Sequence, residues 1–182
     1  GVQTCALPIS SIAFAPDGKR LLVSDDLYSL TEWDVAPRSL LRTLDGRFGG
    51  IAFSRDGKLL VTGSDKKPPN GAAALYDGET LVKRASLDDY APAFNFSFSS
   101  DGRWLAAGGH GGRLSVYQTS DGKRVVESDF NKHLSVAFAD DGTLAVGADK
   151  LAGIHLFDAT DPTRPEHRAK GLPKRSELKI DQ

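Results

Sequence analysis

Phe14-Ala15-Pro16-Asp17-Gly18 returns three more times along the chain, as Phe53-Ser54-Arg55-Asp56-Gly57, Phe98-Ser99-Ser100-Asp101-Gly102 and Phe138-Ala139-Asp140-Asp141-Gly142. The interval is about 40 residues, and a turn signal fixed at that period means stacked copies of one small β unit. Glycine, asparagine and aspartate supply the positive-φ positions that a hairpin turn demands.

A second element follows each turn, about 17 residues later: Trp33-Asp34, Tyr76-Asp77, Tyr117-Gln118 and Phe157-Asp158. Each unit thus ends its third strand on an aromatic. In the first copy Ile12-Ala13-Phe14 runs in, Pro16-Asp17-Gly18 turns, Leu21-Leu22-Val23 runs back and Leu30-Thr31-Glu32-Trp33 alternates again. The same order repeats from Ile51, Phe94 and Val136, and fourth strands are expected at Leu40–Leu44, Leu81–Ala85 and Arg124–Ser128. No long stretch carries helical spacing of apolar residues, so the chain reads as all-β. Lys66-Lys67-Pro68-Pro69-Asn70-Gly71 lengthens one connection, and its prolines make it a loop.

With 182 residues and a net charge of −1, the chain has material for a core and no electrostatic footprint for nucleic acid or an anionic membrane. No apolar run approaches the roughly 18 residues needed to cross a bilayer, so membrane insertion is not expected. There is no methionine, and the single cysteine, Cys5, lies in Gly1-Val2-Gln3-Thr4-Cys5-Ala6-Leu7-Pro8-Ile9. That segment resembles the in-frame translation of a sequencing adapter and is set apart from the fold. Without it the chain has no cysteine, which fits a cytoplasmic protein and an exported one equally. The expected layout is therefore a non-native segment at 1–9, the repeat domain at 10–172 and a polar tail or the start of further sequence at 173–182.

Units of this length, with Phe-Ser-Pro-Asp-Gly-like and Trp-Asp-like phrases, resemble the blades of WD40-repeat β-propellers. The resemblance runs from about Ser10 to Leu172 and is strongest in Ala13–Gly18 with Glu32-Trp33-Asp34. It implies a segment of about four four-stranded antiparallel blades. The family's Asp before the third strand is not matched: Leu27, Gly111 and Leu151 stand there, with Asp26 and Asp149 slightly off register. Four blades are fewer than such propellers usually close with, which implies that the remaining blades of a larger propeller are partners of this segment. Expressed alone, the segment is expected to associate through bare blade faces.

The resemblance also implies a function: a noncatalytic scaffold that holds a protein partner on the rim where the second strand joins the third and the fourth joins the next blade. Those loops supply Arg47, Phe48, Lys66, Lys67, Asn70, Asp88–Tyr90, His110, Arg113 and Asn131, Lys132 and His133. Tyr, Phe and Arg are common interface anchors; Phe48 and Tyr90 have the further option of packing under their own loops. The alternatives are a fragment of a lactonase-like or quinoprotein-like ligand-binding propeller, and an accessory propeller of a bacterial multidomain protein.

Chemistry has little support in the residues. His110, His133, His155 and His167 lack the spacing of a metal pair, and His155 lies mid-strand, where a surface or inter-blade position is expected. The four Asp-Gly pairs repeat, as a turn device does and a catalytic acid does not. Gly108-Gly109-His110-Gly111-Gly112 joins two strands and so cannot act as a phosphate loop before a helix. No serine occupies a Gly-x-Ser-x-Gly elbow. No catalytic residue, metal or cofactor is expected.

Overall fold

In the computed structural model each Phe-x-x-Asp-Gly phrase ends one strand and turns into the next. The structure describes residues 9–25, 29–46, 48–63, 73–87, 93–109, 112–130, 133–148, 153–164 and 174–179. The Asp carboxylate accepts the backbone N–H two residues on in every copy: Lys19 to Asp17 at 2.9 Å, Lys58 to Asp56 at 3.1 Å, Arg103 to Asp101 at 3.0 Å and Thr143 to Asp141 at 2.8 Å. The glycine that follows adopts φ of 68° to 80° in the four turns, a region that favours residues without a Cβ. Its N–H donates back to Ala15, Ser54, Ser99 or Ala139. Sequence repeat and turn geometry are thus one device.

The strands fall into four antiparallel sheets of four, each in chain order. The first holds β1 (Ile9–Phe14), β2 (Arg20–Asp25), β3 (Leu30–Asp34) and β4 (Ser39–Leu44). The second holds β5 (Ile51–Phe53), β6 (Leu59–Thr62), β7 (Ala74–Asp77) and β8 (Lys83–Ser86). The third holds β9 (Ala93–Phe98), β10 (Trp104–Gly109), β11 (Arg113–Gln118) and β12 (Arg124–Asp129). The fourth holds β13 (Leu134–Phe138), β14 (Thr143–Ala148), β15 (Gly153–Asp158) and β16 (Lys174–Lys179). Among the described residues, strand is the regular structure throughout.

Two boundaries differ from the sequence reading. Ile9, placed with the non-native segment, opens β1 and pairs with Asp25; residues 1–8 lie outside the described residues. Within the segment from 173, read as a polar tail or the start of further sequence, Lys174–Lys179 forms the outer strand of the fourth sheet, with Leu156 opposite Ser176. An outermost strand makes one ladder only, so Lys-Arg-Ser-Glu-Leu-Lys lacks the apolar run that marks an inner strand.

Strand alternation gives every sheet two faces. Across the front face run Phe53, Leu60 and Tyr76 in the second sheet, Phe98, Leu105 and Tyr117 in the third, and Phe138, Leu144 and Phe157 in the fourth. Each triad packs on the back of the preceding sheet. Leu22 and Leu30 meet Leu60 and Ile51; Val61 and Leu75 meet Leu105 and Tyr117; Ala106 and Val116 meet Leu144 and Val146. Four sheets therefore enclose three apolar cores. Where Trp33, Tyr76, Tyr117 and Phe157 pair with the outer strand, the register shifts by one residue on that outer strand, a bulge repeated in all four sheets.

The innermost strands lie side by side. Polar side chains of one receive the ladder-free N–H groups of the next: Ile51 N–H donates to Ser11 Oγ at 3.2 Å, Val136 N–H to Asn95 Oδ1 at 2.7 Å and Phe138 N–H to Ser97 Oγ at 2.8 Å. Buried backbone donors seldom go unpaired, and these serines and the asparagine meet that demand.

Between the first two sheets the core is not purely apolar. Glu32 is 1% exposed and stands on the back face where the other sheets carry Leu75, Val116 and Leu156. Its carboxylate accepts from Arg20 Nη1 at 3.0 Å and from Arg42 Nε. Both arginines continue into the second sheet, Arg20 to the Gly78 carbonyl at 2.9 Å, Arg42 to the carbonyls of Thr80 at 2.9 Å and Glu79 at 2.7 Å. The triad fastens the first sheet to the β7–β8 turn of the second.

Acid tests the turns. The Asp77 carboxyl is held far below the usual carboxylate range, first by the Thr80 N–H, then by Arg84 and the Thr80 hydroxyl; Asp56 is lowered chiefly by the Ser54 hydroxyl and then by the Lys58 N–H. A depressed folded-state value stabilises the fold above the unfolded value and is lost as pH falls through the folded one. The urea midpoint is therefore expected to drop as pH is lowered below about 4, and a paired Asp56→Asn, Asp77→Asn variant to show a shallower drop. A variant slope equal to wild type in urea titrations at stepped pH would count against this.

Candidate functional site

Antiparallel order sends the Asp-Gly turns and the β3–β4, β7–β8 and β11–β12 turns to one rim, and the β2–β3 type and sheet-to-sheet connections to the other. Residues of the second rim are the candidate site. Arg47, Lys66, Lys67, Asn70, Asp88–Tyr90, His110, Asn131 and Lys132 lie outside the described residues, as do Asp26, Leu27, Gly111, Asp149 and Leu151. Phe48, Arg113 and His133 are described.

Phe48 is not a surface anchor. It is 6% exposed, sits in the core between the first two sheets with Ile51, Leu60 and Leu81, and tilts against Tyr76 with ring centres 6.4 Å apart. A large ring just before a strand gains more from burial than it would on a loop tip. Arg113 opens β11 half-buried, its Nε 3.0 Å from Glu127 and 3.6 Å from Asp129 on the neighbouring strand. Its charge is engaged within its own sheet. His133 is exposed immediately before β13, the innermost strand of the fourth sheet. Of the three, it presents its side chain most openly on this rim.

His155 is half-buried at the core between the third and fourth sheets, with Phe130 and Phe157 ring centres 6.3 Å and 6.2 Å away. Of the two positions expected for it, surface or inter-blade, it lies beside the inter-blade core. Among the described residues no group of three His, Cys, Asp or Glu side chains is placed to hold a metal ion.

Sequence reasoning passed over the opposite rim. There Arg55 of the second sheet's turn meets Asp140 of the fourth sheet's turn, Nη1 to Oδ1 at 2.6 Å, and Ser100 Oγ donates to the Asp140 carbonyl at 3.1 Å. These residues hold the same place in three copies of the phrase. That shared place was the available signal, since equivalent turns beside an axis must come near one another.

Residues 38–67 and 89–118 match the family model described as WD domain, G-beta repeat. The chain is 30% identical over 134 residues to WD repeat-containing protein SL1-17 of Schistosoma mansoni, spanning 71% of this chain and 43% of that protein. It is 22% identical over 187 residues to Minichromosome loss protein 1 of Schizosaccharomyces pombe, spanning 91% of this chain and 23% of that protein. The structure of U3-55K superposes with a TM-score of 0.75 over 86% of this chain and 50% of that one, at 12% identity. The chain thus spans half or less of the length of these relatives. With four antiparallel four-stranded sheets packed front to back, two repeat matches and a propeller neighbour, the chain carries WD40 repeats and folds as the blades of a β-propeller.

Proposed function

We propose that the chain is a noncatalytic scaffold that holds a protein partner on the rim bearing His133. WD40-repeat proteins serve in general as protein-interaction scaffolds. The observation that carries the reading is the set of three inter-blade cores, which pack each sheet on its neighbour into one support, and loops on a rigid support are where binding residues gather. Arg47, Lys66, Lys67, Tyr90, His110, Arg113, Lys132 and His133 are the contact residues, with Phe48 withdrawn to the core.

The test is partner recovery in affinity capture by the wild-type chain and by an Arg47→Ala, Tyr90→Ala, His133→Ala variant. Loss of at least about tenfold is expected, because a few anchors carry most interface energy. An Arg55→Ala variant, changed on the opposite rim, keeps recovery at the wild-type level. Equal recovery by all three proteins would remove the rim assignment.

A further inference from the structure

We infer that Ser86 is a phosphoacceptor for a protein kinase that selects basic sequences, and that its phosphate fills a position where later blades carry a glutamate. The inference stands apart from the rim reading. The four outer strands share one register. Opposite Thr31, Ala74, Ser115 and His155 of the third strands stand Thr43, Ser86, Glu127 and Glu177 of the fourth. Opposite the aromatics Trp33, Tyr76, Tyr117 and Phe157 stand Leu40, Lys83, Arg124 and Lys174, each three residues earlier on the same outer strand. The third and fourth sheets thus carry a cation and, three residues on, a glutamate. The second sheet keeps the cation and has a hydroxyl in the glutamate's place.

What that glutamate does is visible in the third sheet. Arg124 Nη2 lies 2.9 Å from Glu127 Oε2, and Arg113 Nε of the neighbouring strand lies 3.0 Å from Glu127 Oε1. Lys83 has no such anion: among the described residues it is in no ion pair, whereas Arg84 meets Asp77 at 2.5 Å and remains 52% exposed.

The hydroxyl is also presented as a kinase requires. Lys83, Arg84 and Ser86 are exposed on the outermost strand of the second sheet, in extended chain. Cations two and three residues before a serine complement an acidic substrate groove. Leu87 is enclosed in the core between the second and third sheets, so recognition falls on the basic side of the serine alone. In the transfer, Ser86 Oγ bonds the γ-phosphorus of ATP as the bond from that phosphorus to its bridging oxygen breaks. ADP leaves, and the hydroxyl proton passes to the kinase's aspartate. The product adds about −1.5 to −2 charges at pH 7, three residues from Lys83, and charge-assisted hydrogen bonds between them tie β8 as Glu127 ties β12.

The first measurement incubates the full chain with ATP and the catalytic subunit of cyclic-AMP-dependent protein kinase, and locates the phosphate by mass spectrometry. Modification at Ser86 is expected, absent from Ser86→Ala and slowed at least about tenfold in a Lys83→Ala, Arg84→Ala variant. A chain left unlabelled overturns the inference even if a free peptide of residues 80–90 is labelled, since the folded strand would then withhold the site. Phosphate confined to other residues, or a rate indifferent to Lys83 and Arg84, overturns it as well. The second measurement compares urea midpoints. The phosphorylated chain is expected to unfold at higher urea than the unmodified one, with the gain lost in Lys83→Ala and reduced in 1 M salt. No gain, or a gain that survives Lys83→Ala, removes the phosphate from the glutamate's role.

Discussion

Replacing Tyr117 with alanine is expected to lower the unfolding free energy by about 3 to 5 kcal/mol, whereas the same change at Trp33 costs under about 1 kcal/mol in dilute solution. The two residues hold one register position, the aromatic that ends the third strand of a blade. Tyr117 is fully enclosed, packed with Leu105, Val61 and Leu75 between the second and third sheets. Removing its ring deletes the contacts and leaves a void that rigid sheets on both sides cannot collapse. Trp33 is already 36% exposed, and its indole N–H donates to Thr31 Oγ1 of its own strand at 3.0 Å. Urea unfolding at submicromolar concentration checks the pair. Equal losses would show that the front of the first blade is covered in the monomer.

Glu32→Ala should be as damaging as a large core truncation, about 3 kcal/mol. The substitution leaves the Arg20 and Arg42 guanidinium groups beside an apolar core without their shared anion. Arg42 retains 39% side-chain exposure and Arg20 20%, so water tempers the loss below what a wholly enclosed pair would suffer. The informative companion is the triple change Arg20→Leu, Glu32→Leu, Arg42→Val, which installs residues found at the same register in other blades: Leu59, Leu75 and Val126. Replacing a buried ionic set by packed apolar groups is often neutral or stabilising. The triple variant is expected within about 1 kcal/mol of wild type. If it is as unstable as Glu32→Ala, the carbonyl contacts to Gly78, Glu79 and Thr80 carry the stability instead of the charge balance.

The architecture was legible because its cause is local. Asp17, Asp56, Asp101 and Asp141 each bond a backbone N–H two residues away, so four short phrases suffice to reveal four turns. Alternation of apolar residues placed Phe53, Leu60 and Tyr76 in strands without any knowledge of their neighbours. The site was less legible because its determinants are not local. Whether Phe48 meets a partner or Tyr76 depends on how far the second sheet leans over its own entry loop. Lys174–Lys179 joins the fourth sheet through ladder bonds that carry no sequence preference, hence its tail-like appearance. Glu32 reads as an ordinary polar residue in Leu30-Thr31-Glu32-Trp33 until Arg20 and Arg42 arrive from adjoining strands.

That glutamate also breaks the equivalence of the repeats. The other three blades present uncharged backs: alanine, valine and leucine in the second, serine, alanine and valine in the third, and alanine, alanine and leucine in the fourth. The first presents a charged clasp whose outer donors fit the carbonyls of one turn, at Gly78 to Thr80. A shuffled gene with the first unit moved to another place in the order would put two arginines against a turn not shaped to receive them. The clasp therefore gives an otherwise periodic sequence an address, fixing which copy must follow the first.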